Sequence, residues 1–235
     1  MHRFFADEAG RICGDELKHL TRVLRLKPGD EIEVLCAGQK KRAVLTAVGP
    51  DCAVYEETGA LESCEAHCRV TLYQGLCKGE KMDFIVQKCT EMGIHAIVPV
   101  VMERSVVRGE KAERKNERYA RIAREAVKQC GRAAVPEVLP AMSFNEALER
   151  MKAHELLLMP YEEGGEPFGQ PIHARDVALL IGPEGGIAPG EAQAVRQAGG
   201  RAVTLGSRIL RTETAGLVAL TLTLHCAGDL GGEQK

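Results

Sequence analysis

The chain has 235 residues and a mass of 25.5 kDa, with 45% apolar residues, 27% charged residues and a formal net charge of −2. These proportions exclude an intrinsically disordered, collagen-like or low-complexity chain, and the length suits one large domain or two smaller ones. No apolar run approaches the ~18 residues of a membrane span, the opening MHRFFADEAG lacks the apolar core of a signal peptide, and nine cysteines without framework spacing point to free thiols in the cytoplasm.

Residues 1–68 are expected to form a small β-rich domain. Arg3–Phe5, Glu31–Leu35, Arg42–Thr46 and Cys52–Tyr55 read as short strands, separated by turn signals at Lys27-Pro-Gly-Asp30, Ala37-Gly38 and Gly49-Pro-Asp51. A helical insert, Asp15–Leu26, gathers Leu17, Leu20, Val23 and Leu24 on one side and carries Lys18, Arg22 and Arg25 elsewhere. The polar stretch Glu56–His67 reads as a linker.

From residue 69 to 235 strands alternate with helices. Val70–Leu76 and Ile94–Val101 read as strands around a helix over Glu80–Met92, which Gly93 follows. Ser143-Phe-Asn-Glu146 has the pattern of a capping box opening a short helix. Strands are then expected at Glu155–Met159, Val177–Ile181 and Ala202–Leu205, with a last helix from Thr212 to Cys226. This alternation predicts an α/β domain with a mostly parallel sheet, whose ligands bind beyond the C-terminal strand ends.

The small net charge hides a local excess. Between Arg104 and Arg132 ten Lys and Arg stand against four Glu, so this stretch carries +6. On a helix Arg114, Arg118, Arg121, Lys128 and Arg132 fall near one face, and Tyr119, Ile122, Ala123, Ala126 and Cys130 form an apolar stripe on another. Two readings stand side by side: a solvated face laced with ion pairs, or a surface that tracks phosphates.

The informative loops follow the last strands. Gly182-Pro-Glu-Gly-Gly186 has glycines that permit close backbone approach and a proline that fixes one turn. It lacks the Lys-Ser/Thr of a Walker loop and the spacing of a dinucleotide fingerprint, which leaves a tight turn or a ligand-cradling loop. Gly206-Ser-Arg-Ile-Leu-Arg-Thr-Glu-Thr-Ala215 precedes the last helix. Its threonines and Glu213 are explained by helix capping, but Arg208 and Arg211 oppose the helix dipole, and an anionic ligand is the natural reason for them.

Together with Lys88-Cys-Thr-Glu-Met-Gly93, Arg104-Ser105, Gln129-Cys-Gly-Arg132, Arg3-Phe-Phe5 and His19–Arg25, these two loops resemble the bacterial 16S ribosomal RNA uridine N3-methyltransferase family. That family belongs to the SPOUT superfamily of trefoil-knotted methyltransferases. The resemblance spans the chain in order and implies a PUA-like RNA-binding barrel over 1–68 and a knotted methyltransferase domain over 69–235. It implies S-adenosyl-L-methionine as cofactor, held by Met159, Gly182, Pro183, Glu184, Gly185, Gly186, Leu205, Gly206, Ile209 and Leu210. It also implies a homodimer, a cytoplasmic location, no metal, and 16S rRNA in the small ribosomal subunit as partner.

Methylation at N3 requires the uracil N3–H to leave, and a guanidinium aimed at the flanking oxygens would stabilise the resulting anion. Arg211 is the first candidate and Arg208 the second. Glu184 or Glu213 would take the proton or orient an arginine, alternatives the sequence does not separate. His19, Arg22, Arg25, Arg104, Arg118, Arg121, Arg124 and Arg132 are then the expected RNA contacts. Cys64-Glu-Ala-His-Cys68 offers too few ligands for a zinc site. The rival functions are a sister knotted enzyme acting on a ribose 2′-oxygen or another base, and a non-catalytic RNA-binding or ribosome-assembly protein.

Overall fold

The structure, a computed structural model, describes residues 1–106 and 115–231. The chain forms two compact units. The first consists of Met1–Glu65 and Val127–Val135, and the second contains the remaining described residues.

The first unit is built on a five-stranded sheet. Its strands are β1 (His2–Phe5), β2 (Arg11–Cys13), β3 (Glu31–Cys36), β4 (Gln39–Val48) and β5 (Cys52–Ala60), in the order β1-β3-β4-β5-β2. Only the β1–β3 pairing is parallel. Alternating burial along β3 and β4 directs Ile32, Val34, Ala43 and Leu45 inward, where they meet Phe4, Ile12, Leu17 and Leu20. The expected linker begins later than its composition indicates, because Glu56–Ala60 continue β5 and pair with β4. The expected helix Asp15–Leu26 is shorter: α1 (Gly14–Lys18) runs into a π-helical turn, His19–Val23, and Arg25 with φ of 56° turns the chain away.

Val127–Val135 is tied into this unit by polar contacts. Arg3 donates to the carbonyls of Lys128 and Gln129 at 2.8 and 3.1 Å. Glu65 accepts from the Arg132 guanidinium at 2.6 and 3.0 Å and from the backbone N–H groups of Ala133 and Ala134. This corrects the expectation for Arg132. It is only 5% exposed, its fork committed to Glu65, so it is a structural ion-pair partner and offers no face to RNA.

The second unit carries an all-parallel sheet of eight strands among the described residues. They are β6 (Arg69–Gly75), β7 (Ala96–Val101), β8 (Glu137–Val138), β9 (Met142–Ser143), β10 (Leu156–Pro160), β11 (Glu166–Pro167), β12 (Asp176–Ile181) and β13 (Arg201–Thr204). The order is β11-β13-β10-β12-β6-β7-β8, with β9 also on β7. The central strands are apolar on both faces because helices cover both. On one face Leu72, Leu158 and Leu179 meet Met82, Ile85 and Cys89 of α2 (Lys81–Glu91), Tyr119 and Ala123 of α3 (Asn116–Cys130), and Ala219, Leu220 and Leu224 near the chain's end. On the other face Tyr73, Met159 and Leu180 meet Ala147 and Met151 of α4 (Phe144–Met151) and Ala192 and Val195 of α5 (Pro189–Gln197). The Ser143–Glu146 capping box opens α4 as expected.

The last helix, α6 (Thr212–Cys226), has the expected bounds. The chain leaves β13 beyond β10, on the far side of β12, and returns to lay α6 against α2, β6 and β12. That return brings the loop after β13 against the loop after β12, at the C-terminal end of the sheet.

Candidate active site

Gly182–Gly186 follows β12 and 206–211 leads from β13 into α6, and both border one cleft. It comprises two adjoining depressions, of about 440 and 140 Å³. Gly182, Pro183, Glu184, Gly185, Gly186, Ile209, Leu210 and Arg211 line the larger one, and Leu205, Gly206 and Arg208 line the smaller. Pro160, Glu162, Ile209, Leu210 and Ala215 border both. All the expected cofactor residues except Met159 are therefore brought together. Met159 is fully buried against the α4–α5 layer, since strand alternation turns it away from the cleft. Its neighbour Pro160 provides the wall.

The seam between the loops is tight and polar. Thr212 donates from its hydroxyl to the Gly182 carbonyl at 2.7 Å and accepts from Gln74 Nε2 at 2.8 Å. A Cβ on Gly75 would lie 2.4 Å from Pro183 N, so the end of β6 must be glycine for the loop to pass. Gly206, at φ of 110°, adopts a conformation that only glycine holds easily, and a Cβ there would meet nothing within 4 Å. Arg104 donates to the Gly185 carbonyl at 3.2 Å, beside Glu103, whose N–H donates to the buried Glu191 carboxylate at 2.9 Å.

The charged groups fall into two sets. Arg211, Arg208 and Glu162 line the cleft without an ion pair or side-chain hydrogen bond among the described residues. Glu184 is already engaged: its Oε1 accepts from the Lys78 N–H and from Lys81 Nζ, both at 3.0 Å. Burial alone would raise the Glu184 carboxyl, but these donors outweigh it and hold the group below the usual carboxylate range. Glu213 does not border the cleft; its Oε2 lies 3.7 Å from the same Lys81 ammonium. Cys77, 3.7 Å from the Thr212 hydroxyl, is buried, and burial pushes its thiol up to about 11. At neutral pH it is protonated and no nucleophile.

Of the expected RNA contacts, Arg22 and Arg25 are exposed in the first unit, while His19 is half-buried with its ring 6.2 Å from that of Phe4. In the second unit Arg121 and Arg124 are exposed on α3, and Arg118 pairs with Asp83. Arg108, Lys111 and Arg114 lie outside the described residues. Sequence reasoning missed Lys81, Gln74 and Glu162, which lie outside the two loops, whereas Ala215 ends the Gly206–Ala215 motif and borders the cleft as that motif implies. Among the described residues no cluster of three His, Cys, Asp or Glu side chains is placed to hold a metal.

A parallel sheet whose last helix returns across it, with glycine-rich loops meeting at the C-terminal strand ends, defines a SPOUT-type methyltransferase fold. Residues 64–224 match the RNA methyltransferase domain family, and residues 12–51 match the RNA methyltransferase PUA domain. The chain is 36% identical to ribosomal RNA small subunit methyltransferase E of Bacillus subtilis, over 95% of this chain and 92% of that one. It is 30% identical to the Aquifex aeolicus protein of the same name, over 96% and 100%. A crystal structure of ribosomal RNA small subunit methyltransferase E from Neisseria gonorrhoeae bound to S-adenosyl methionine superposes with a TM-score of 0.84 at 34% identity, covering 94% of this chain and 95% of that one. The chain belongs to the RNA methyltransferase family.

Proposed function

We propose that the protein transfers a methyl group from S-adenosyl-L-methionine to N3 of a specific uridine in the 16S rRNA of the small ribosomal subunit. The observation that carries this reading is the meeting of the two glycine-rich loops in one cleft beside a guanidinium, Arg211, that has no ion-pair partner among the described residues. The cleft suits such a cofactor: Gly182, Gly185, Gly186 and Gly206 are among its lining residues, Pro160, Ile209, Leu210 and Ala215 give it apolar surface, and Gly206 leaves open space where a Cβ would stand. When bound, the cofactor supplies an activated methyl group, and no metal is needed.

In this reading Gly182–Gly186 and Leu205–Leu210 hold the cofactor, Pro160 and Ala215 exclude water from its apolar parts, and Arg211 faces the base. A fixed guanidinium stabilises the N3 anion over neutral uracil, and each unit by which it lowers the N3–H pKa contributes about 1.4 kcal/mol. Arg208, in the smaller depression, is the second cation. N3 lies on the pairing edge, so the base must be unstacked to enter. Arg22 and Arg25, with Arg104, Arg121 and Arg124, hold the RNA mainly through phosphates. Residues 1–68 then serve as the PUA-like RNA-binding part and 69–235 as the methyltransferase part.

The working form in this reading is a cytoplasmic homodimer. In this reading the second subunit covers Ile209 of the cleft wall, which is 88% exposed. Nuclease digestion and mass spectrometry of small-subunit RNA treated with the enzyme and labelled cofactor tests the reading. A labelled N3-methyluridine is expected; label on a ribose or on another base would assign a sister activity. Calorimetry that detected no cofactor binding would leave an RNA-binding protein.

A further inference from the structure

We propose that Lys81 is a positioning residue of this site, an ammonium clamp that holds the Gly182–Gly186 loop to the first turn of α6 and keeps Arg211 free for substrate. This inference rests on the methyltransferase reading for its consequence and on geometry alone for the clamp. Lys81 opens α2 and borders the cleft, and its Nζ stands 3.0 Å from Glu184 Oε1 and 3.7 Å from Glu213 Oε2. One carboxylate belongs to the loop after β12 and the other to the helix that follows β13, so a single cation joins the two walls.

The Glu213 end is the more telling. Its Oε2 is shut off from water and has no hydrogen-bond partner among the described residues. A buried carboxylate oxygen in that state is strongly unfavourable unless a cation compensates it, and Lys81 is the cation in place. Glu184 is further fixed by the Lys78 N–H, which ties the loop to the residues just before α2. The two carboxylates that chemistry made candidate proton acceptors are thus both taken up by one ammonium.

Arg211 is the residue capping α6 and Glu213 sits in that helix's first turn, two positions on. Without Lys81, the Glu213 carboxylate would be left uncompensated in the first turn of α6, two positions from Arg211, and would draw on the nearest free cation, for which the developing anion also competes. Loss of the clamp should therefore weaken both cofactor binding and turnover, and removing the stranded charge should restore part of the loss. A role in folding alone would move the melting temperature, and its recovery in the double variant, without moving the cofactor affinity of the folded protein.

The experiment compares wild type, Lys81→Met, Lys81→Arg, Glu213→Gln and Lys81→Met/Glu213→Gln. It reads calorimetry with S-adenosyl-L-methionine, turnover on small ribosomal subunits, and thermal unfolding. Lys81→Met is expected to weaken cofactor affinity about tenfold and to lower turnover by more than that. Lys81→Arg should stay within about threefold of wild type, and adding Glu213→Gln to Lys81→Met should raise turnover above the single variant. Affinity and turnover of Lys81→Met within about twofold of wild type, or a double variant worse than Lys81→Met, overturns the clamp with the methyltransferase reading intact. If wild type binds no cofactor, that reading fails, and the clamp is judged by unfolding alone. Melting shifts of the two single changes that exceed the double variant's support it, and strictly additive shifts overturn it. Should Lys81→Met not fold, Glu213→Gln is introduced beside Lys81→Arg, and additivity there overturns the clamp as well.

Discussion

The hydroxyl of Thr212 donates a 2.7 Å hydrogen bond to the carbonyl of Gly182, thirty residues earlier in the chain, and accepts from Gln74 Nε2 at 2.8 Å. Three elements, the end of β6, the loop after β12 and the start of α6, therefore meet at one side chain that is itself only 7% exposed. Thr212→Val keeps the shape and removes both hydrogen bonds, depriving the Gly182 carbonyl of its Thr212 donor and one N–H of Gln74 Nε2 of its acceptor, while Nε2 keeps its bond to the Gly75 carbonyl. Chemical denaturation should show a loss of about 1–3 kcal/mol. Calorimetry should show weaker cofactor binding, while Thr212→Ser retains most of both.

Arg211→Ala tests the chemistry separately from the cleft. Arg211 borders the larger depression but forms no internal ion pair among the described residues, so its loss leaves the fold and the loop seam in place. Removing a donor aimed at developing charge costs about 10²–10³ in turnover, with cofactor affinity little changed. Single-turnover methylation of small-subunit RNA measures the first and calorimetry the second. Arg208→Ala, in the smaller depression, should show the smaller loss. Equal losses for the two would mean that the guanidiniums act as a pair.

The sequence announced the loops better than it announced their supports. Apolar runs such as Val177–Ile181 and the glycine punctuation after them are local features, and the strand-loop-helix order follows from them. The bounds of α6 were legible because polar Gly206–Arg211 ends where a long apolar helix begins. Lys81 was not legible, since a lysine opening an amphipathic helix looks like any solvated charge until the fold sets two carboxylates from later in the chain against it. Arg132 misled for the same reason in reverse: it continues a basic periodicity, yet Glu65 buries it. Met159 stands one position from the cleft wall, because strand alternation turns its side chain into the core and leaves Pro160 bordering the cleft.

The glycines around the cleft should respond to alanine for different reasons. At Gly75 the backbone is ordinary but a Cβ would stand 2.4 Å from Pro183 N, and backbone cannot step aside. Gly75→Ala should therefore lower the melting temperature clearly and weaken cofactor binding. At Gly206 the surrounding space is open, and φ of 110° alone makes alanine costly, about 1–2 kcal/mol of strain. Gly190 in α5 has neither constraint, and Gly190→Ala should leave binding intact and raise stability by roughly 0.5–1 kcal/mol. Melting curves and calorimetry on the three variants separate steric from conformational causes; a Gly75 variant as stable as wild type would show that the loop after β12 shifts freely.

Acid should loosen the first unit through Glu65. Burial alone would raise this carboxyl, but the Arg132 guanidinium and the Ala133 and Ala134 N–H groups outweigh that and hold it below its ordinary 4.5. A carboxyl whose folded pKa is depressed binds fewer protons in the folded state than in the unfolded chain. Its stabilisation is therefore complete above the ordinary value and is lost as pH falls through the depressed one. Glu65→Gln removes the charge but keeps the shape, so wild type should exceed it by about 1–3 kcal/mol at neutral pH. The gap should close on acidification below the ordinary carboxylate value, where wild type becomes protonated and resembles the variant. Urea unfolding across that range measures the gap directly, and a gap that stayed constant into strong acid would place the stabilisation in contacts other than the Glu65–Arg132 charge pair.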